Sequence, residues 1–348
     1  MEKIGAALLS YGLSGKAFHA PFIHAHPGFT LLGSWERSAK NIQKDYPEVR
    51  SYSSLEEILK DPSVSLVVVN SPTYTHYEYA KKCLQSGKHI IVEKAFTATV
   101  SEAQELQILA SKNNLMLSVF QNRRWDSDFK TVRKIVEDGV LGELVDVSFA
   151  YDRYNPALSP KLHKEIPRPG AGILHDLGPH LIDQALVLFG LPSEVFAILD
   201  STRAVSQVAD YFDILLLYPT LKVHLRSNYF VREPVPSYVL HGKKGSFLKT
   251  RADVQEVNLV AGQRPGGENW GEEPESEQGM LHTELDGKII REKIKTLPGN
   301  YMEYYNGIYN AISNNQPAPV TAEDGVAVMR VIESVIKSNL EKRIVPLV

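Results

Sequence analysis

The stretch Ile4-Gly-Ala-Ala-Leu-Leu-Ser10-Tyr-Gly12-Leu-Ser-Gly15 decides the fold. An aliphatic run short enough for a buried strand breaks into a glycine-bearing turn, and a segment with helical spacing follows. The usual G-x-G-x-x-G turn has its second and third glycines here as Gly12 and Gly15, while Ser10 stands at the first. Gly12 lets the backbone approach a pyrophosphate without a Cβ in the way, and Gly15 lets the helix sit close on the strand. Leu13 and Ser14 complete the turn, and the helix N-terminus offers unpaired N–H groups to phosphate. Glu36 falls 21 positions after Gly15, near the spacing expected of a carboxylate that holds the adenosine ribose hydroxyls. Arg37 beside it pulls the other way, since a guanidinium suits a 2′-phosphate or stacks on adenine. The pair reads equally as an exposed loop pair. The choice of NAD or NADP stays open, with a lean to NAD.

Further along, short aliphatic runs alternate with amphipathic segments. The runs are Ile4–Leu9, Phe29–Trp35, Val49–Tyr52, Leu66–Asn70, His89–Glu93 and Met116–Phe120, and helices are expected over Thr75–Ser86 and Ser101–Lys112. Ser54-Leu-Glu-Glu57 has capping-box spacing, and Gly87 suits a helix C-terminus. Leu66-Val-Val-Val is apolar on both faces, as a parallel strand covered by helices should be. These features predict an α/β fold whose first domain, residues 1–121, is a doubly wound parallel Rossmann sheet. From 122 to 348 the rhythm changes. A helix over Asp126–Asp138 leads to a strand, Leu144–Asp152, then a Pro/Gly-rich loop and an apolar helix, Gly178–Phe189. Strands in series follow (Val195–Leu199, Tyr211–Tyr218, Lys222–Tyr229, Tyr238–His241), and then a polar loop over 261–279. Two final helices, Tyr301–Ile312 and Glu323–Glu341, close the chain and could pack back on the first domain. Strands without intervening helices predict a second, α+β domain with a large, mostly antiparallel open sheet.

Composition narrows the function classes. The 348 residues carry a formal net charge of −3, which builds no basic field for nucleic acid. The single cysteine, Cys83, excludes an internal disulfide and a thiolate-rich metal site and reads as a buried inert thiol. No apolar stretch approaches the roughly 18–20 residues that span a bilayer, and the expected compartment is the cytoplasm.

Three places carry chemistry. Ser71-Pro-Thr73 and His76 follow the fourth strand, on the side where doubly wound sheets bind ligands. They read equally as a turn and an N-cap, with His76 at the surface. Glu93-Lys94 ends the fifth strand, aiming an amine toward the same crevice, though Lys94 reads equally as a solvated loop lysine, and Gln121 follows the sixth. His175-Asp-Leu-Gly-Pro-His180 opens the apolar helix. Asp176 and His180 are four apart and share a face, and an imidazole can take an alcohol's proton while hydride leaves its carbon. A helix cap and a metal site are the competing readings of that pair. His175 faces elsewhere on a helix, so no metal is expected.

Taken in order, these motifs resemble the glucose–fructose oxidoreductase and inositol dehydrogenase (Gfo/Idh/MocA) family. The resemblance also runs through Phe18-His-Ala-Pro21, Asn122-Arg-Arg-Trp-Asp126, His180-Leu-Ile-Asp183, Pro298-Gly-Asn-Tyr301 and Pro319-Val-Thr-Ala322. Arg-Arg-Trp-Asp and Phe-His-Ala-Pro look most like the scyllo-inositol dehydrogenase branch. The resemblance implies an NAD(P)-dependent oxidoreductase acting on a polyol or sugar, and a homo-oligomer built through the C-terminal sheet. It implies Lys94, Asp176 and His180 as the catalytic set: His180 the acid/base, Lys94 the group polarising the reacting oxygen, Asp176 the positioner. Arg123, Arg124, Trp125, Asp126, Tyr154 and Trp270 are candidate substrate contacts, although the adjacent arginines read equally as pins for the helix that follows. Two departures stand out: Ala95 where Glu-Lys-Pro is common, and Ser10 for the first glycine. A catalytically silent dinucleotide-binding regulator is the alternative, and a metal-dependent lyase or hydrolase a more distant one.

Overall fold

The first strand, β1 (Ile4–Leu8), is buried along its whole length, and so is β4 (Leu66–Val69). Strands with no wet face need cover on both sides, which amphipathic helices supply. The structure, a computed structural model, describes residues 3–36, 39–159 and 162–347, apart from the side chains of 162 and 163. The chain divides into two compact units. One comprises residues 1–122, 255–270 and 300–326; the other comprises 123–254, 271–299 and 327–348.

In the first unit, β1 and β4 join β2 (Phe29–Trp35), β3 (Arg50–Tyr52), β5 (His89–Glu93) and β6 (Leu117–Phe120) in the order β3-β2-β1-β4-β5-β6. Every pairing is parallel. This is the doubly wound sheet expected from the sequence. The order reverses between β1 and β4, and ligands of such sheets bind at that switch point, outside the carboxyl ends of the strands. Helix caps are built as the sequence predicts: Ser54 Oγ accepts from the Glu57 amide, and Thr99 and Glu102 form a reciprocal capping box. The helix Met302–Ser313 belongs to this unit. Tyr301, Tyr304 and Tyr305 are fully buried, and Tyr305 stacks on Phe22 at 5.3 Å.

In the second unit, β7 (Leu144–Ala150) opens a nine-stranded sheet with β8 (Glu194–Asp200), β9 (Tyr211–Leu217), β10 (Lys222–Asn228), β11 (Tyr238–Gly242), β12 (Gly245–Lys249), β13 (Gly279–Leu285), β14 (Lys288–Ile294) and β15 (Val345–Pro346). Its order is β14-β13-β12-β11-β7-β10-β9-β8-β15, antiparallel except where β7 meets β10. The large, mostly antiparallel sheet was expected; β12, β13, β14 and β15 were not. Buried residues alternate along β9 and β10, so one face is packed. On β8 the cover includes the C-terminal helix, where Ser338 Oγ and Asn339 Oδ1 accept from the amides of Ala197 and Leu199.

Candidate active site

The turn after β1 is held by the end of β4. Ser10 N donates to Asn70 Oδ1 (2.9 Å), Ser10 Oγ donates to the Asn70 carbonyl (2.9 Å), and Asn70 Nδ2 donates back to the Ser10 carbonyl (2.9 Å). Ser10 keeps φ out of the left-handed region, so this turn does not need a glycine there, and its hydroxyl adds a tie that glycine lacks. The two glycines have opposite surroundings. A Cβ on Gly15 would lie 2.4 Å from the Ser10 carbonyl oxygen, whereas a Cβ on Gly12 would meet nothing within 4 Å. Gly15 is therefore needed for packing, and Gly12 leaves open room where a phosphate must approach. Together they fit a dinucleotide.

Downstream, Gly15–His19 forms a π-helical turn that runs into the helix Ala20–Ala25. Its polar anchor is Glu93 at the end of β5. The Glu93 carboxylate accepts from Ser14 Oγ, from His19 Nε2 (3.1 Å) and from the Lys94 amide (3.2 Å). Burial alone would raise this carboxyl; the bonds and charges of His19, Ser14 and Lys94 outweigh it and hold the group at about 2. His19 Nδ1 meets Tyr305 Oη at 2.9 Å, and Tyr305 donates to the Phe18 carbonyl at 2.7 Å. Glu93 thus ties the strand end that carries Lys94 to the turn that would hold phosphate.

His76 is fully buried rather than at the surface. Its Nε2 lies 2.7 Å from the Ser71 carbonyl and its Nδ1 lies 2.9 Å from that of Ala95, so the ring joins the Ser71-Pro72-Thr73 turn to the one after Lys94. Burial pushes its pKa below the ordinary imidazole value, against the opposing pull of those carbonyls. The Lys94–Ala95 peptide bond is cis. Leu13 is half exposed on the glycine turn, and Gln121 is buried after β6. Both Glu36 oxygens accept backbone amides at the start of the next helix, Asn41 N (2.8 Å) and Ile42 N (3.0 Å). Arg37 lies outside the described residues.

The second unit holds Asp176 and His180. The short helix Ile173–Asp176 ends as Gly178–Phe189 begins, and His180 is buried at 4% exposure. Lys164 Nζ donates to both Asp176 oxygens at 2.8 Å. Burial lowers the pKa of His175, whose Nδ1 lies 3.3 Å from the Ala171 carbonyl. Arg124 forks onto Asp183, Nε to Oδ2 at 2.8 Å and Nη2 to Oδ1 at 2.7 Å, which pins the residues before Ser127–Glu137 to the helix bearing His180. Arg123 pairs with the buried Asp126 at 3.2 Å and lies over the Tyr151 ring. Burial drives the Asp126 carboxyl well above its usual range. Tyr154 is half exposed beneath the Arg232 guanidinium, and Trp125 is partly exposed. In the first unit, Trp270 Nε1 is buried without a hydrogen-bond partner among the described residues. No group of three His, Cys, Asp or Glu among the described residues could hold a metal ion, and none of their helices is long and apolar enough to cross a membrane.

Residues 4–121 match the model of an oxidoreductase family's NAD-binding Rossmann fold, and residues 133–347 match its C-terminal alpha/beta domain. The chain belongs to the Gfo/Idh/MocA oxidoreductase family. Its relatives include scyllo-inositol 2-dehydrogenase (NADP(+)) IolW of Bacillus subtilis, 36% identical over 347 residues, covering 100% of this chain and 97% of that protein. Among solved structures, a Bacteroides fragilis protein assigned to the oxidoreductases is 43% identical with a TM-score of 0.91, covering 99% and 100% of the two chains. YvaA of Bacillus subtilis, likewise assigned to the oxidoreductases, is 36% identical with a TM-score of 0.96, covering 100% and 99%. A Gfo/Idh/MocA chain uses its first domain for NAD or NADP, and the cradle at Gly12 and Gly15 is suited to that cofactor.

Two contributors were given no role from the sequence. Asn70 sits at a strand end, where its amide could have been suspected. Lys164 lies in a Pro/Gly-rich loop with no periodicity to mark it.

Proposed function

We propose that this Gfo/Idh/MocA protein is a dehydrogenase that moves hydride between nicotinamide C4 and a secondary alcohol of a polyol or sugar. The observation that carries the reading is the open cradle over Gly12, tied through Ser14 and Glu93 to the strand end bearing Lys94. Nicotinamide, when bound, accepts or returns hydride. His180 takes the hydroxyl proton as hydride leaves the carbinol carbon, so the alcohol gives up one hydride and one proton, two electrons and two protons in all, and becomes a carbonyl. Lys94 donates a hydrogen bond to the oxygen on which charge develops. Asp176 accepts a substrate hydroxyl hydrogen and orients the ring. Residues 1–121 serve the cofactor, with Gly12, Leu13, Ser14, Gly15, Ser71, Pro72, Thr73, His76, Glu93 and Gln121 shaping its site. Trp125, Tyr154 and Trp270 remain the candidates for sugar faces; Arg123 and Arg124 act by holding the framework.

Glu36 favours NADP in this reading. With both oxygens engaged by amides, its carboxylate is drawn away from the task of holding ribose hydroxyls, which relieves the repulsion a 2′-phosphate would meet. The relative IolW, named for NADP, agrees. The protein acts in the cytoplasm as a homo-oligomer joined through the outer face of the second sheet. There Phe196, Leu215, Val239, Leu248 and Met280 lie at one level of successive strands, interrupted only by His224 and Ser148.

A panel of polyols and aldoses with NADP and NAD, followed by absorbance of the reduced nicotinamide, tests the reading. Turnover faster with NADP and lost in His180→Ala is expected. Tight cofactor binding with no turnover of any alcohol overturns it.

A further inference from the structure

The Lys164–Asp176 pair sits on a built support. Gly172 (φ +83°) starts the turn that carries Asp176, and a Cβ there would lie 3.0 Å from the Ala209 carbonyl oxygen. The Ile173 amide donates to that same carbonyl at 2.9 Å, and the Gly172 amide donates to the Lys164 carbonyl at 3.3 Å. Lys164 is followed by Glu165, which is gripped by Arg203: Nη2 to Oε2 at 2.9 Å and Nη1 to Oε1 at 3.3 Å. Arg203 also donates through Nε to Asp210 (2.8 Å) and through Nη1 to the Ala157 carbonyl (2.9 Å), and its guanidinium lies over the Tyr229 ring. Arg203, Glu165 and Asp210 are all buried. The 203–210 loop therefore holds both partners, Lys164 through Arg203 and Glu165, and Asp176 through Ala209. Ion pairs that decorate a surface are rarely built on a buried triad, because burying charges costs more than exposed pairing returns.

The pair itself is open, with side-chain exposures of 37% for Lys164 and 23% for Asp176. One ammonium bonded to both oxygens fixes the carboxylate plane, and a carboxylate oxygen can accept more than one hydrogen bond.

We propose that Lys164 is a positioning residue that keeps the Asp176 carboxylate ionised and in one orientation to receive a substrate hydroxyl, with Arg203 holding Lys164 in place through Glu165. This rests on Asp176 belonging to the catalytic set. A neighbouring cation favours the ionised form of a carboxyl, so removing it must move the titration of Asp176 upward, whereas a purely structural role need not.

The test is a carboxyl-carbon NMR titration of protein labelled at aspartate, with Asp176 assigned through Asp176→Asn. Lys164→Met is expected to raise the Asp176 midpoint and Lys164→Arg to restore it. Lys164→Gln, which keeps the stem and loses the charge, reads the same if the methionine variant does not fold. On a substrate found in the panel, kcat/KM should fall on the order of 10- to 100-fold in Lys164→Met, as expected for a displaced reacting group, with the acid limb of its pH profile moved upward. NADP affinity should be unchanged. An unmoved Asp176 midpoint overturns the inference whatever the activity. A midpoint moved in Lys164→Met, where the wild-type protein oxidises no alcohol, overturns instead the catalytic assignment of Asp176, and the positioning role falls with it.

Discussion

Adding one methyl group at Gly12 and one at Gly15 should separate cofactor binding from folding. At Gly15 the new Cβ would stand 2.4 Å from the Ser10 carbonyl oxygen and 3.0 Å from Asn70 Nδ2. Both atoms are fixed by three mutual hydrogen bonds, so neither can yield cheaply. Overpacking of this kind costs about 1–3 kcal/mol, which for a domain of this size lowers Tm by roughly 2–4 °C per kcal/mol. At Gly12 the Cβ would meet nothing, and φ lies outside the left-handed region. Gly12→Ala should therefore fold with unchanged or slightly higher stability, since it trims the freedom of the unfolded chain. Its methyl would occupy the room into which the pyrophosphate must come. If the ligand pays the same overpacking penalty, Kd for NADPH rises roughly 5- to 150-fold. Thermal unfolding without cofactor and titration of NADPH fluorescence read the two quantities separately. Wild-type NADPH affinity in Gly12→Ala would refute the placing of phosphate over that residue. An undiminished Tm in Gly15→Ala would refute the packing argument.

Arg124→Ala leaves the Asp183 carboxylate buried without its fork, and urea unfolding should show a loss of about 3–5 kcal/mol; Arg124→Lys, which cannot bond both oxygens in one plane, should recover only part of it. Glu93 gives a pH signature. Its folded-state value of about 2 lies below the ordinary 4.5. The stability it contributes, on the order of 3 kcal/mol, is complete above pH 4.5 and is lost as pH falls toward 2. Unfolding free energies of Glu93→Gln should be lower than wild type at neutral pH and converge with it near pH 2; parallel curves would refute the role of this carboxylate.

Periodicity and turn chemistry made most of the fold legible. Phe29–Trp35, His89–Glu93 and Gly178–Phe189 begin and end where the apolar pattern places them. The edge strands were harder. In β14 (Lys288-Ile-Ile-Arg-Glu-Lys-Ile294) no residue is buried, so no core-facing alternation marks it. The helix Gln255–Val260 buries only Gln255 and Leu259, too few to show a stripe. The membership of 255–270 and 300–326 in the first unit rests on contacts such as the Tyr301 amide to Gln255 Oε1, at a separation no local pattern reports. At the site, residue types were legible while their partners were not. Glu93 was visible beside Lys94, but its bonds to Ser14 and His19 join residues more than 70 positions apart. Lys164 and Arg203 had no signal at all, being loop residues whose meaning comes from Asp176 and Glu165.

Direct hydride transfer is the claim on which the account stands. The substrate found in the panel, deuterated at its carbinol carbon, should give reduced nicotinamide carrying one deuterium at C4, seen by proton NMR as a single diastereotopic signal lost. Reduced cofactor with no deuterium at C4, formed in ordinary water from that substrate, would contradict it.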